Sequence, residues 1–491
     1  MSKQLFFIVM IGFLLASFGF ATETRVDSTD GLTLVLTDES DEFNPFLFGN
    51  PAGLALLPPQ TRFDVVGQWL KETSYSTNTT SNIYSTLNRL GDETPHYHGL
   101  MAFLSPQWAL QLDSDYVQSE NSPDLLITDQ TRMRTREVFR TAYNFGPFVL
   151  GLQTQPTQIN LTAKPQSNPG GSQLLSGKGT GSAWVGTAGL LACFPGEINS
   201  KGSNLKIGGV ASTELTPGQE IQNLAVQLSG GLNVNLIETY TSTNVLTWGP
   251  ELYFESPGTF QSFLLGRFSN GSLNFQQDSS NTGLIASQPS FKVQDSNSSV
   301  GIAGFKMKNP LSHTDALKSG FLFAFTSSNQ NNFDSGGTAT TTNSIQSWAT
   351  SAGIGLEGSK DYTVGLQFQL QGVAGTYILT TPPNTLVNFF SYKVALGGER
   401  WLSPQWAFRM GLTYENDYNN GSQAYQQLLY SVPSGNQIVS TTISAGAGFR
   451  DKNFIADLMF VTGQYSVDNS PNPNDFGLLL SFQLAASILF N

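Results

Sequence analysis

Phe476 to Phe490 reads F-G-L-L-L-S-F-Q-L-A-A-S-I-L-F, with only Asn491 after it. Leu478, Leu480, Phe482, Leu484, Ala486, Ile488 and Phe490 share one parity, and Ser481, Gln483, Ala485 and Ser487 share the other. Successive side chains on a strand point to opposite faces, so this stretch predicts a strand with one apolar face backed by a small, polar one. Such a strand fits either the edge of a secreted sandwich or the wall of a barrel with lipid outside.

The other end of the chain separates these two. Met1 to Ala21 has a positive start at Lys3, an apolar core from Leu5 to Phe18 and a small-x-small site at Gly19-Phe20-Ala21. That is the pattern of a cleaved signal peptide, and its apolar run falls short of the roughly 20 residues a spanning helix needs. An exported chain that finishes on an amphipathic strand with a terminal aromatic resembles the outer-membrane β-barrels of Gram-negative bacteria. The fold class expected is therefore all-β, a transmembrane antiparallel barrel over residues 62–491. Residues 1–21 are the signal, and 22–61 a short N-terminal periplasmic arm or plug.

Composition agrees with this division. Charged residues make up 12% of the chain, about half the usual ~25%, and Gly, Ser, Thr, Asn and Gln take their place. The apolar residues are spread in alternating runs, as they must be where only one face of each strand meets lipid. Trp406, Phe408, Met410, Leu412 and Tyr414 oppose Ala407, Arg409, Gly411, Thr413 and Glu415. Tyr362, Val364, Leu366, Phe368 and Leu370 oppose Thr363, Gly365, Gln367, Gln369 and Gln371. The net charge of −12 disfavours nucleic acid as a partner. The partners expected are outer-membrane lipid, lipopolysaccharide, and small solutes or hydrophobic compounds. Cys193, the one cysteine, reads as a buried, inert thiol, and with no Cys/His cluster no cofactor or metal is expected.

Nineteen alternating segments can be marked between 62 and 490, among them 205–213, 222–236 and 245–254. A single-chain barrel has an even number, so sixteen to eighteen are expected, with Gly230-Gly231 a place where one segment becomes a hairpin. Short and long connections nearly alternate. Arg450–Asn453, Glu399–Pro404 and Glu357–Asp361 are short. Gln464–Asp475, Glu415–Asn436 and Ser327–Ser344 are long, and Thr380–Thr385 is intermediate. That order places the C-terminus in the periplasm. The hexapeptide L-S-P-Q-W-A occurs twice, at Leu104–Ala109 and Leu402–Ala407, each time as a turn feeding a strand that opens with Trp and ends with Tyr. Trp108, Trp406, Tyr116, Tyr414 and Phe490 are the expected aromatic girdles at the lipid–water boundaries.

Asn50-Pro51-Ala52-Gly53-Leu54-Ala55 resembles a segment of the long-chain fatty-acid and aromatic-hydrocarbon transporter (FadL-type) family, as do Trp406–Glu415 and Ser444–Phe449. The resemblance implies a barrel of fourteen strands plugged by an N-terminal hatch, with Asn50, Pro51 and Ala52 in the plug.

Arg132, Arg134, Arg136 and Arg140 share one parity of a single expected strand, and with Arg409, Gln367 and Gln369 they are candidates to line a pore. Guanidiniums are always charged and weakly hydrated, so a ladder of them suits the transfer of anions, and rings of them set anion preference. The other placement for Arg132 and Arg134 is above the membrane, against loop acids or lipopolysaccharide phosphates. The histidines are His96, His98 and His313, and no nucleophile motif accompanies them, so catalysis is not expected. The function expected is a porin-like channel for passive diffusion of small solutes. The alternatives are a FadL-type transporter of hydrophobic compounds and a non-transporting adhesin or structural barrel with long polar loops such as Ser327–Ser344.

Overall fold

The structure is a computed structural model that describes residues 49–57, 61–78, 83–85, 96–121, 130–163, 173–194, 204–228, 231–256, 259–279, 287–313, 315–358, 362–379, 385–419, 437–468 and 476–490. The expected signal peptide and residues 22–48 lie outside these, as does most of the Glu415–Asn436 connection. The strands are β1 (Thr61–Asn78), β2 (Ile83–Ser85), β3 (His96–Leu104), β4 (Trp108–Asn121), β5 (Gln130–Asn144), β6 (Phe148–Ala163) and β7 (Gln173–Phe194). They continue with β8 (Asn204–Gln227), β9 (Asn233–Ser256), β10 (Phe260–Ser279), β11 (Gln288–Pro310), β12 (Ala316–Phe333) and β13 (Ala339–Gly358). The last six are β14 (Tyr362–Leu379), β15 (Thr385–Trp401), β16 (Trp406–Asn419), β17 (Gln437–Arg450), β18 (Phe454–Asp468) and β19 (Phe476–Phe490).

Each long strand pairs antiparallel with its neighbours in sequence, and β1 pairs with both β3 and β19, so the sheet closes. The three-residue β2 only extends one end of β1, which leaves eighteen strands in the wall. Closure removes the unpaired edge that lipid could not satisfy. At the seam Asp64 lies opposite Ser487, whose hydroxyl donates to Asp64 Oδ1 at 2.7 Å. The even count falls in the expected sixteen-to-eighteen range, and the fourteen strands implied by the FadL-type resemblance are not what the chain builds.

The wall is inside-out relative to a soluble protein. On β19, Leu484 is 49% exposed while its neighbour Ala485 is 0%. Trp406, Phe408, Met410, Leu412 and Tyr414 on β16 and Phe321, Phe323 and Phe325 on β12 all face outward. The inner parity carries Lys318, Gln367, Ser391, Arg409, Asp457 and Ser487, all buried. The outward set follows the apolar parity of the sequence, which lipid contact requires. Replacing Phe323 with Arg should therefore cost about 2–4 kcal/mol of stability in a bilayer, by the depth dependence of charged lipid-facing residues. The same change at lumen-facing Thr326 should cost much less. Equal urea midpoints for the two variants in lipid vesicles would refute the orientation.

Two expectations are corrected. Ser327–Ser344 is not a loop. Both strands continue through it, paired from Ser327↔Gln346 to Phe333↔Ala339, and only residues 334–338 turn. Asp334 Oδ1 accepts from the backbone N–H of Gly336 and Thr338, both at 2.9 Å, and Gly337 takes a φ of +78 that favours glycine. The segment hides from the eye because, beyond the lipid belt, both faces are polar and the alternation stops although the ladder does not. The long polar loop on which an adhesin reading leaned is thus a hairpin.

The segments 205–213, 222–236 and 245–254 are two strands, β8 and β9, reversing at Gly231 with φ +83. Leu228 N–H donates to Leu232 O at 2.8 Å and Gly231 N–H to Leu228 O at 3.0 Å. Residues 214–218, with Pro217, form a bulge that interrupts pairing between Thr213 and Gln219 without ending β8. That bulge is why one strand reads as two.

The repeated hexapeptide builds the same turn twice. Ser105 Oγ and Ser403 Oγ accept from the N–H of Trp108 and Trp406 at 2.9 and 3.1 Å. The carbonyls of Gln107 and Gln405 accept from Asn144 and Arg450, the last residues of β5 and β17, each at 2.8 Å. Trp108 and Trp406 then emerge on the outer face, as do Tyr414 and Phe490, with Tyr116 half-buried.

Candidate functional site

Asn50 to Leu57 lies inside the barrel, with Pro51–Leu56 in one short 3-10 helix packed on β4, β5, β6 and β7. Asn50, Pro51 and Ala52 are buried. Each residue type has a physical reason. The Asn50 side chain must accept and donate at once: Oδ1 accepts from Ala52 N–H at 3.0 Å, and Nδ2 donates to Glu251 Oε2 at 2.6 Å. An ionised Asp could not do both. Pro51 occupies a first helical position, where its missing N–H costs nothing. Ala52 is small because the helix sits directly on the wall. A Cβ on Gly151 would collide with backbone atoms of Pro51 and Ala52, and one on Gly189 with the Asn50 side chain. Glu251 in turn is ion-paired with Arg267. Ala52, Leu54 and Ala55 belong to an apolar cluster that runs along the inner wall from Ala102 on β3 to Ile302 on β11, and it includes the buried Cys193.

Beside this segment opens a cavity of about 230 Å³. Gly49 and Pro51 line one side, and the inner faces of β5 to β11 the rest. Its walls are mainly Gln, Ser, Thr, Gly and charged residues, including Arg134, Arg136, Arg140, Glu214 and Glu220.

The arginine run is on β5, and three of its members reach this cavity. Their side chains are progressively buried, 32% exposed at Arg134, 17% at Arg136 and 10% at Arg140. Arg134 and Arg136 both contact Asp115 Oδ2, at 3.6 and 3.2 Å. Arg140 contacts Asp113 Oδ2 at 3.2 Å and donates from Nε to Gln153 Oε1 at 2.7 Å. The side chain of Arg132 lies outside the description. Arg409 faces the lumen elsewhere, bound to Glu399 Oε2 at 2.6 Å and to Asp457, as a strut between β15, β16 and β18. Gln367 is also a wall residue, donating to Ser351 Oγ at 2.8 Å. Neither it nor Gln369 touches the cavity.

Sequence reading missed the arginines' partners, though a signal exists. Asp113 and Asp115 lie two apart on β4, the hairpin partner of β5, and register sets Asp115 opposite Arg136. It also missed Glu214 and Glu220 on β8. Glu214 sits in the bulge, where strand parity loses its meaning. Its Oε1 accepts from Ser242 Oγ at 2.5 Å and from Gly218 N–H at 3.4 Å.

Apolar outside, with buried charged and polar side chains within, and closed at the seam, this wall has one reading. The chain is a transmembrane antiparallel β-barrel.

No family model matches the sequence, and no curated protein does either. Solved structures similar to it include the CymD monoaromatic hydrocarbon channel, at 10% identity over 94% of this chain and 97% of that one, with a TM-score of 0.38. The Pseudomonas putida toluene transporter TodX matches at 8% identity over 93% and 96%, with a TM-score of 0.39. The ferric citrate transporter FecA matches at 9% identity over 88% and 79%, with a TM-score of 0.43.

Proposed function

We propose that the protein is an outer-membrane channel through which small polar solutes diffuse passively, narrowed on one side by the segment around Asn50–Leu57. The observation that carries this reading is the cavity lined by Gln, Ser, Thr and charged side chains within a wall whose outer surface is apolar. A solute entering it meets hydroxyls, amides and guanidiniums that replace its hydration shell, while the barrel keeps it from lipid. The signal-like N-terminus and the C-terminal strand support the outer membrane of a Gram-negative bacterium as its place.

Planar-bilayer recording of the purified full chain tests this. A steady single-channel current in potassium chloride is expected, and persistent electrical silence would defeat the proposal. A second reading, transport of hydrophobic compounds, is favoured by the apolar cluster around Leu54, with Tyr253, Phe263 and Ile302 in the same patch. It requires silence in the bilayer together with fatty-acid or detergent density inside the barrel.

A further inference from the structure

We infer that the cavity between β5 and β8 is a binding site for small zwitterions, solutes of amino-acid size carrying one carboxylate and one ammonium group. This rests on the channel reading and names the solute class it would favour.

The placement comes from the register. Arg134 pairs with Ile159, Ile159 with Gly181, and Gly181 with Glu220, so the arginine and the glutamate stand in one row across four strands. Three inter-strand steps set their backbones about 14 Å apart. The neighbouring row runs from Arg136 to Thr157 to Ala183, which lies across from Gly218, the residue whose N–H holds Glu214. The floor between the two charged groups is therefore Ile159, Gly181, Thr157 and Ala183. None of these titrates, and Gly181 has no side chain to fill the gap.

The charges on the two sides are opposite. On β5, Arg134 and Arg136 both contact Asp115. Among the described residues Arg134 Nε is buried with no hydrogen-bond partner. On β8, Glu214 and Glu220 have only neutral donors, Ser242 and Gly218 for the one, and Gln222 Nε2 at 2.6 Å for the other. Among the described residues neither glutamate has an ion pair. Inside a narrow, low-dielectric passage such separated charges hold a strong local field. A simple anion is drawn to the arginines and repelled by the glutamates, and a simple cation the reverse. A zwitterion lies along the field. Its carboxylate takes paired guanidinium donors, and its ammonium donates to the two glutamates. A cavity of about 230 Å³ suits a solute of that size.

Proteoliposomes holding the full chain are loaded from outside with radiolabelled serine, the uncharged erythritol, or lactate. Serine is expected to enter several-fold faster than erythritol, with a rate that saturates. Measured relative to erythritol in the same variant, the double variant Glu214→Gln and Glu220→Gln should bring serine down to the erythritol rate and raise lactate entry. Arg134→Gln should lower serine and lactate together. Equal serine and erythritol rates in the native protein, or lactate outrunning serine, would overturn the inference while leaving the channel intact. If no solute enters, the channel reading fails, and equilibrium dialysis of serine against the detergent-solubilised full chain decides. Retention that disappears in the double variant upholds the site, and no retention by the native protein removes it.

Discussion

Replacing Gly151 with Val should raise the single-channel conductance several-fold. The inner face of β6 is in contact there with the backbone of Pro51 and Ala52. A Cβ would lie 2.6 Å from Ala52 Cα and closer still to Ala52 N and the Pro51 carbonyl carbon. These are backbone atoms, with no rotamer into which to retreat, so the short helix must leave its seat. The wall itself should tolerate the change, because valine is at home in a strand and a closed ladder of eighteen strands holds its register. Leaving the seat also breaks the contact of Asn50 with Glu251 and strips the apolar patch of Ala52 and Leu54, so a half-displaced segment has little to return to. The control is Gly301→Val, at a glycine whose added Cβ meets nothing within 4 Å. Deleting residues 49–57 in the Gly151→Val background should add nothing further. Native conductance in Gly151→Val, with the segment shown displaced, would mean that Asn50–Leu57 does not obstruct the path.

How much of this was legible in the sequence follows from where the solvent changes. Within the lipid belt one face of every strand must be apolar, so Trp406–Tyr414 and Leu478–Phe490 announce the strand, while the export signal was needed to set the orientation. Above the belt both faces are wet. There Ser327–Phe333 and Ala339–Ser344 pair as firmly as the rest, held by contacts such as Asn332 Nδ2 to Thr341 Oγ1 at 2.6 Å, yet have no period to read. The Asn50-Pro51-Ala52 motif was legible as a motif, but its seat inside the barrel was not. Gly151 and Gly189 are two among the chain's 49 glycines, and only the docked backbone distinguishes them. The arginines were visible because four of one charge recur on one parity. Glu214 and Glu220 were invisible because a bulge separates them and their relation to Arg134 passes through three strand registers, none of which a single sequence fixes.

The second large effect concerns the arginines themselves. Changing both Arg136 and Arg140 to Gln should shift the ion preference of the channel strongly toward cations. On this wall the described guanidiniums of Arg134, Arg136 and Arg140 face the carboxylates of Asp113 and Asp115, three positive charges against two negative. With Glu214 and Glu220 on the same cavity, the double change takes three positive charges against four negative to one against four, so the local field becomes strongly negative. Asp113 loses its 3.2 Å contact with Arg140, and Asp115 loses its 3.2 Å contact with Arg136. Glu214 and Glu220 line the same cavity, and of the described β5 guanidiniums only that of Arg134 then opposes their field. Gln retains hydrogen-bonding capacity, which keeps the wall polar and isolates charge as the variable. The measurement is the reversal potential across a tenfold salt gradient, taken at low and high ionic strength. The difference between native and variant should be largest near 0.01 M, where the screening length is about 30 Å, and nearly vanish at 1 M, where it is about 3 Å. An unchanged reversal potential at low salt would mean that ions do not pass beside β5. The three arginines would then serve only to lock Asp113 and Asp115 into the hairpin of β4 and β5.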